Sequence, residues 1–214
     1  MDQLATRFLE GGFFMWPILA CSALGLAIAA ERFIFLRANN HVRKEDLLKF
    51  VKSTVLKGDL QRAIASVSKT DSPLTKIVKS GLVSVANNGT PEEVQTAMDA
   101  VALREIPALE KRIGLLATLS NIATLLGLLG TVEGLIGAFA AVAGVSPAEK
   151  AELLSKSISA AMNTTAFGLV VAIPLLFAFG YLTSYSQDII DDVHESSVST
   201  LNFILANKEK ILRG

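Results

Sequence analysis

Three hydrogen-bonding side chains, Asn163, Thr164 and Thr165, share one helical turn of "SAAMNTTAFGLVVAIP", and an unbroken apolar run follows them. A second apolar run, "NIATLLGLLGTVEGLIGAFAAVAG", carries Thr131 and a single carboxylate, Glu133. An ionisable residue inside an apolar span marks a functional site by default, so Glu133 is a candidate proton carrier. The alternative is that it borders a water-filled vestibule or bonds a neighbouring hydroxyl. On an ideal helix Glu133 lies about 200° from Thr131, so the two cannot face one lumen. If Glu133 is not the carrier, a proton path through this chain needs an acid from another chain.

The residues around these groups are small. Gly127, Gly130, Gly134 and Gly137 recur at helical spacing and share one face, with Thr131 beside it. Ser157, Ala161, Thr164, Thr165, Gly168 and Ala172 form a matching stripe on the other run, opposite Phe167, Val170, Val171 and Phe177. Small faces let membrane helices approach closely, and helix packing alone accounts for them. A lone threonine can also bond the carbonyl four residues back in its own helix. Two facing stripes that each carry threonine go further and predict a narrow, weakly polar lumen that holds hydrated ions or a partner helix.

The elements that must position these groups are membrane helices. Hydrophobic residues make up 51% of the 214 and charged residues 19%, fewer than the roughly 25% of a soluble domain. Three runs reach the ~20 apolar residues that cross a bilayer. The expected organisation is a periplasmic N-terminus at 1–12, transmembrane helices at 13–37, 113–145 and 157–186, and a periplasmic loop at 146–156. A helical cytoplasmic domain fills 38–112, and a cytoplasmic C-terminal helix fills 187–214. The run from 113 exceeds the bilayer thickness, so the second and third helices extend into the cytoplasm. The first run lacks a basic leader and reads as a retained anchor. Arg32, Arg37, Arg43 and Lys44 on one flank and Arg104, Lys111 and Arg112 on the other place the long polar segment inside. Phe13, Phe14 and Trp16 at one interface, and Phe33, Tyr181 and Tyr185 at the other, fit aromatic belts.

Within 38–112 the apolar residues keep a helical period, broken at "KGD" and at "NNGTPEEV", where Thr90 caps a helix with Pro91 and Glu93 behind it. That helix is expected to bend near Pro107 and to run on into the second span. The fold class is therefore all-α integral membrane. Zero formal net charge gives no basic field for nucleic acid. Cys21 is a buried structural thiol, and His41 and His194 read as solvated. No nucleophile, base and orienter recur in a catalytic spacing, and no metal-ligand spacing occurs.

"LLGLLGTVEGLIGAF" followed by "TTAFGLVVAIP", with "GDLQRAIA", "SPLTKIVKSGL" and the "ERF" that ends the first span, resembles the ExbB/TolQ/MotA family of ion-driven motor subunits. The resemblance covers about Trp16 to Leu182, and three spans with a short outside N-terminus match the ExbB/TolQ branch. It implies a homopentamer in the bacterial inner membrane whose second and third helices line a pore, with no cofactor. Single-span ExbD/TolR-like partners would each bring an aspartate into that pore, and a TonB/TolA-like protein would span the periplasm. Thr131 and Thr165 fall on the family's two pore threonines, whose hydroxyls serve a carboxyl group in either protonation state. The chain departs from the family at Thr124, where proline is frequent, and at Ala160, where many members carry glutamate. Glu133 or Glu152 are the available substitutes for that acid, and the "MNTT" oxygens leave sodium open beside the proton. The competing reading is a non-conducting scaffold for partner helices.

Overall fold

The computed structural model describes residues 11–39, 44–142 and 146–212, and every regular element among them is a helix. His41, Arg43, residues 1–10 and the expected end of the second span at Val145 lie outside the described residues. The elements are α1 (Met15–Asn39), α2 (Lys44–Leu56), α3 (Leu60–Val67), α4 (Pro73–Ala86), α5 (Pro91–Glu110), α6 (Ile113–Ala141) and α7 (Pro147–Leu212). Three helical stretches are long and apolar enough to cross a membrane, and they contain α1, α6 and α7. The all-α membrane architecture holds. Large apolar side chains that a soluble fold would bury are exposed along them, among them Trp16, Leu125, Ile136, Phe139, Val170 and Phe177.

The chain divides into two compact units, Met1–Arg32 with Arg112–Leu182 and Phe33–Lys111 with Thr183–Gly214. In the second unit, α2 to α5 are short helices joined by turns whose chemistry the sequence dictates. Gly58 turns the chain at positive φ, and the Asp59 side chain then accepts from the Arg62 amide. Ser72 and Thr75 close a reciprocal cap on α4, with Pro73 in the first turn. Thr90 and Glu93 do the same for α5, as the "GTPEE" spacing predicts. Val51, Val55, Val67, Ile77, Val78, Leu82, Val85 and Val94 form the buried core of this unit. The last part of α7 shares the unit. Lys44 of α2 reaches Asp192 at 2.6 Å and Glu195 at 2.8 Å, and these two carboxylates raise the lysine pKa above its usual range. Lys52 donates to Ser199 at 3.0 Å.

Two expectations about continuity are corrected. The helix containing Pro107 does not run on unbroken into the second span; α5 stops at Glu110, and Arg112 adopts φ +67 before α6 begins. That left-handed residue interrupts the ladder, whereas the proline is accommodated inside α5. The expected loop at 146–156 is helical from Pro147, and the third span extends without interruption into the C-terminal helix as one element, α7, of 66 residues. "PAEKAELLSK" explains the second correction: proline suits the opening turn, and alanine, glutamate, lysine and leucine are strong helix formers. At ~20 residues per crossing, the length of α7 carries it well beyond a bilayer.

A carboxylate caps the start of α7. The Ser146 hydroxyl and amide donate to the Glu149 carboxylate at 2.7 and 3.2 Å and hold its pKa below the ordinary 4.5. A depressed carboxylate contributes stability above its unfolded pKa and loses it as pH falls through the folded value. Amide protection in the first turns of α7, taken relative to the intrinsic exchange rate at each pH, should therefore fall as pH drops below about 4.5, and Glu149→Gln should show the lowered protection throughout.

Candidate functional site: the paired small faces of two membrane helices

The glycine face of α6 meets the polar stripe of α7. A Cβ on Gly127 would lie 3.2 Å from the Thr165 Cα, one on Gly130 2.5 Å from the Thr164 methyl, and one on Gly134 2.8 Å from the Ala161 Cβ. From the other side, a Cβ on Gly168 would stand 2.7 Å from the Ala123 carbonyl oxygen and 3.2 Å from the Gly127 Cα. Backbone therefore faces backbone, a proximity that only residues without side chains permit. Gly137 is different: nothing lies within 4 Å of its missing Cβ.

Close approach brings polar atoms together across the interface. Thr165 Oγ1 donates to the Gly127 carbonyl at 2.7 Å. Thr164, 1% exposed, donates to the Gly11 carbonyl at 2.7 Å and to Ala160 of its own helix at 3.2 Å. Ser120 Oγ donates to the Ala172 carbonyl at 2.8 Å. These inter-element bonds were not read from the sequence, although a signal existed: Ser120 and Ala123 extend the glycine face seven and four residues before Gly127. The contact between Thr164 and Gly11 had no signal, because only tertiary structure brings residues so distant in sequence together.

Thr131 and Asn163 stand apart from this interface. The Thr131 hydroxyl donates to the Leu128 carbonyl of its own helix at 2.6 Å, and its side chain is partly exposed. Asn163 is half-buried. Thr124, at the position where the resemblance expects proline, bonds the Ser120 carbonyl at 3.1 Å, and α6 passes through it without a break.

Glu133 opens into a groove of about 350 Å³. One wall is α6, through Gly130, Glu133, Gly134 and Gly137; the other is α7, through Ala160, Ala161 and Thr164, and Gly11–Phe14 close it. Thr131 and Glu133 thus flank the glycine face on opposite sides, as the helical angle requires. In the same unit, Glu31 pairs with its neighbour Arg32 and lies 3.6 Å from Arg112, so one carboxylate serves two guanidinium groups and the cluster keeps a net positive charge.

A membrane-helix pair held together by glycine, with hydroxyls at the contact, admits polar atoms into an otherwise apolar interface. Residues 69–195, more than half of the chain, match the MotA/TolQ/ExbB proton channel family. Among relatives, an ExbB homolog of Methanothermobacter thermautotrophicus, described as a biopolymer transport protein, is 31% identical over 187 residues. That alignment covers 87% of this chain and 65% of the relative, so the chain spans just under two thirds of its length. The ExbB-like 3 biopolymer transport protein of Synechocystis sp. is 34% identical over 185 residues, 83% of this chain and 84% of its own. The ExbB-like 1 protein of the same organism is 29% identical over 192 residues, 88% of this chain and 74% of its own. The chain belongs to the MotA/TolQ/ExbB proton channel family. It is an ExbB-like, multi-pass membrane protein and a biopolymer transport protein homologue, not an enzyme.

The geometry separates the glycines by their tolerance. Gly168→Val drives a side chain into the Ala123 carbonyl, which cannot yield as a flexible side chain would, and should lower stability in detergent by at least about 1–3 kcal/mol. Gly137→Ala meets open space and, in a helix interior, should be neutral or stabilising by up to about 1 kcal/mol. Thermal unfolding of the two purified variants checks both.

Proposed function

We propose that this chain is the pore-forming subunit of a proton-motive-force-driven motor in the cytoplasmic membrane, with its N-terminus outside and its C-terminus inside. Copies of the chain, five on the family pattern, surround single-span ExbD/TolR-like partners. Each partner contributes an aspartate, and a TonB/TolA-like protein carries the resulting work to the outer membrane or envelope.

The observation that carries the reading is the bond from Thr165 to Gly127. With its hydrogen donated at 2.7 Å, the Thr165 hydroxyl keeps its lone pairs as acceptors. A protonated carboxyl group on a partner helix can donate to them. When that acid ionises, rotation about the Cβ–Oγ bond turns the same hydroxyl into a donor. The Gly127 carbonyl loses little, since it remains the acceptor of its own helical bond. Thr131, whose hydroxyl is poised in the same way on the Leu128 carbonyl, serves as the matching group on α6. Thr164 and Asn163 are the neighbouring oxygens on α7. A path of this kind moves protons by breaking and forming O–H bonds alone, with no bond between heavy atoms made or broken.

One observation favours the scaffold alternative: the hydrogens of Thr131, Thr164 and Thr165 are all engaged with backbone carbonyls, which is also what purely structural hydroxyls do. Flux separates the two. The full chain is co-purified with the partner encoded beside it and reconstituted in liposomes containing a pH-sensitive dye. Thr165→Ala should assemble normally, because a membrane hydrogen bond of this type is worth only about 0.6 kcal/mol on average. Its proton flux should nevertheless fall by at least about tenfold, and Thr165→Ser should retain most of it. Unchanged flux in Thr165→Ala leaves the scaffold reading in front.

A further inference from the structure

Glu133 is a carboxylate inside a membrane helix, eight residues before Ala141 and therefore about 12 Å from that end of α6. Its side chain is not covered by the rest of the chain, and its helical neighbours Val132, Ile136 and Phe139 present apolar surface. An acid at that depth facing lipid is costly, so such residues turn toward water or a partner. The groove answers this requirement. Its volume of about 350 Å³ is enough for roughly ten waters at ~30 Å³ each. Its walls are glycine and alanine apart from Phe13, Phe14, Thr164 and Glu133 itself, so no bulky side chain on α6 or α7 fills the space. Among the described residues that line it, no arginine, lysine or histidine supplies a fixed counter-charge. Within the groove, water is left to solvate the Glu133 carboxyl group.

From this we infer that Glu133 is the proton-loading group of the path, taking protons from water in the groove and releasing them toward the threonines. The inference rests on the proton-path reading above. In the loading step hydronium transfers its proton to a Glu133 carboxylate oxygen: an O–H bond forms on the side chain, one breaks on hydronium, and water is left. In the release step that O–H bond breaks, the proton passes to groove water and onward to the partner's carboxylate, and Glu133 returns to its charged form. No electrons move and no co-reactant is consumed. The groove is joined to the threonines by Thr164, which lines it and is followed in sequence by Thr165. Along α6, Gly130 contacts Thr164 and Gly127 contacts Thr165, so groove and hydroxyl pair are about one helical turn apart.

Ala160 lines the same groove from the facing helix, which makes the assignment testable by moving the acid. The complex of the full chain with its partner is reconstituted, and dye-reported proton flux is measured for the wild type, Glu133→Gln, Glu133→Asp, the double variant Glu133→Gln with Ala160→Glu, and Thr165→Ala. Gel filtration of each complex reports assembly. The expected result is an assembled Glu133→Gln complex whose flux falls at least about tenfold, the scale of losing a positioned proton-transfer group. Glu133→Asp should keep most of the flux, and the double variant should regain a large part of it from the opposite wall. Wild-type flux in Glu133→Gln overturns the inference. So does a loss that neither aspartate nor the relocated acid restores, which reduces Glu133 to packing, and so does flux that follows a sodium gradient at fixed pH. If Glu133→Gln keeps its flux while Thr165→Ala loses it, the proton path stands and only the loading role falls. If Thr165→Ala keeps its flux, the path itself falls.

Discussion

Backbone proximity between α6 and α7 is the constraint from which the rest follows. With the Gly168 and Gly127 Cα atoms as near neighbours, no side chain fits between the helices, and carbonyl groups come within reach of hydroxyls on the facing helix. Thr165 to Gly127 and Ser120 to Ala172 are the bonds that result. Hydrocarbon offers no hydrophobic drive between helices, so contact of this kind, with its dispersion and inter-helix hydrogen bonds, is what holds a membrane pair together. The same feature places polar atoms in an otherwise apolar interface. A structural solution therefore puts the proposed proton path where it is.

The two flanks of the glycine face divide the polar groups. Thr131 lies on one side and Glu133 on the other, and the helix forbids both from entering one lumen. In the single chain this separation looks like a conflict between two candidate sites. It is consistent with a path that enters on one flank, at the groove, and is completed on the other by helices of further chains. Gly137, which packs against nothing within 4 Å and borders the groove, fits that arrangement: its smallness keeps the groove open rather than admitting a neighbour.

In the second unit the design principle is different. Short helices are started by caps at Asp59, Ser72 and Thr90, and they bury valine, leucine and isoleucine in an ordinary apolar core. The last part of α7 joins that unit through Lys44 with Asp192 and Glu195. Buried hydroxyls at Ser186, Ser196, Ser197 and Thr200 find no hydrogen-bonding partner among the described residues, so this part of α7 is held by packing and by its charged rim. Residues of α7 are divided between the two units, up to Leu182 in the first and from Thr183 in the second.

The spans, the helical class, the caps at Thr90 and Glu93, and the glycine and threonine stripes were legible in the sequence. Each depends on hydropathy over ~20 residues, on a period of 3.6, or on a side chain reaching its own backbone three residues away. The family, too, was legible, because its motifs lie within single helices. The break at Arg112 was not legible in this way, because local propensity permits a helix that continues past Pro107. The helical start of α7 was present in the helix-forming residues of "PAEKAELLSK", but the same polar stretch also suits a loop between spans. Nor could a linear pattern show that Thr165 points to Gly127, that Thr164 reaches Gly11, or that Glu133 and Ala160 share one groove. Those relations join residues 38 and 153 apart, and the groove's two walls, by a helix-to-helix rotation that periodicity leaves free. The sequence by itself determined which faces are small and polar; the tertiary structure decided which face meets which, because that choice is made by backbone contact between distant segments.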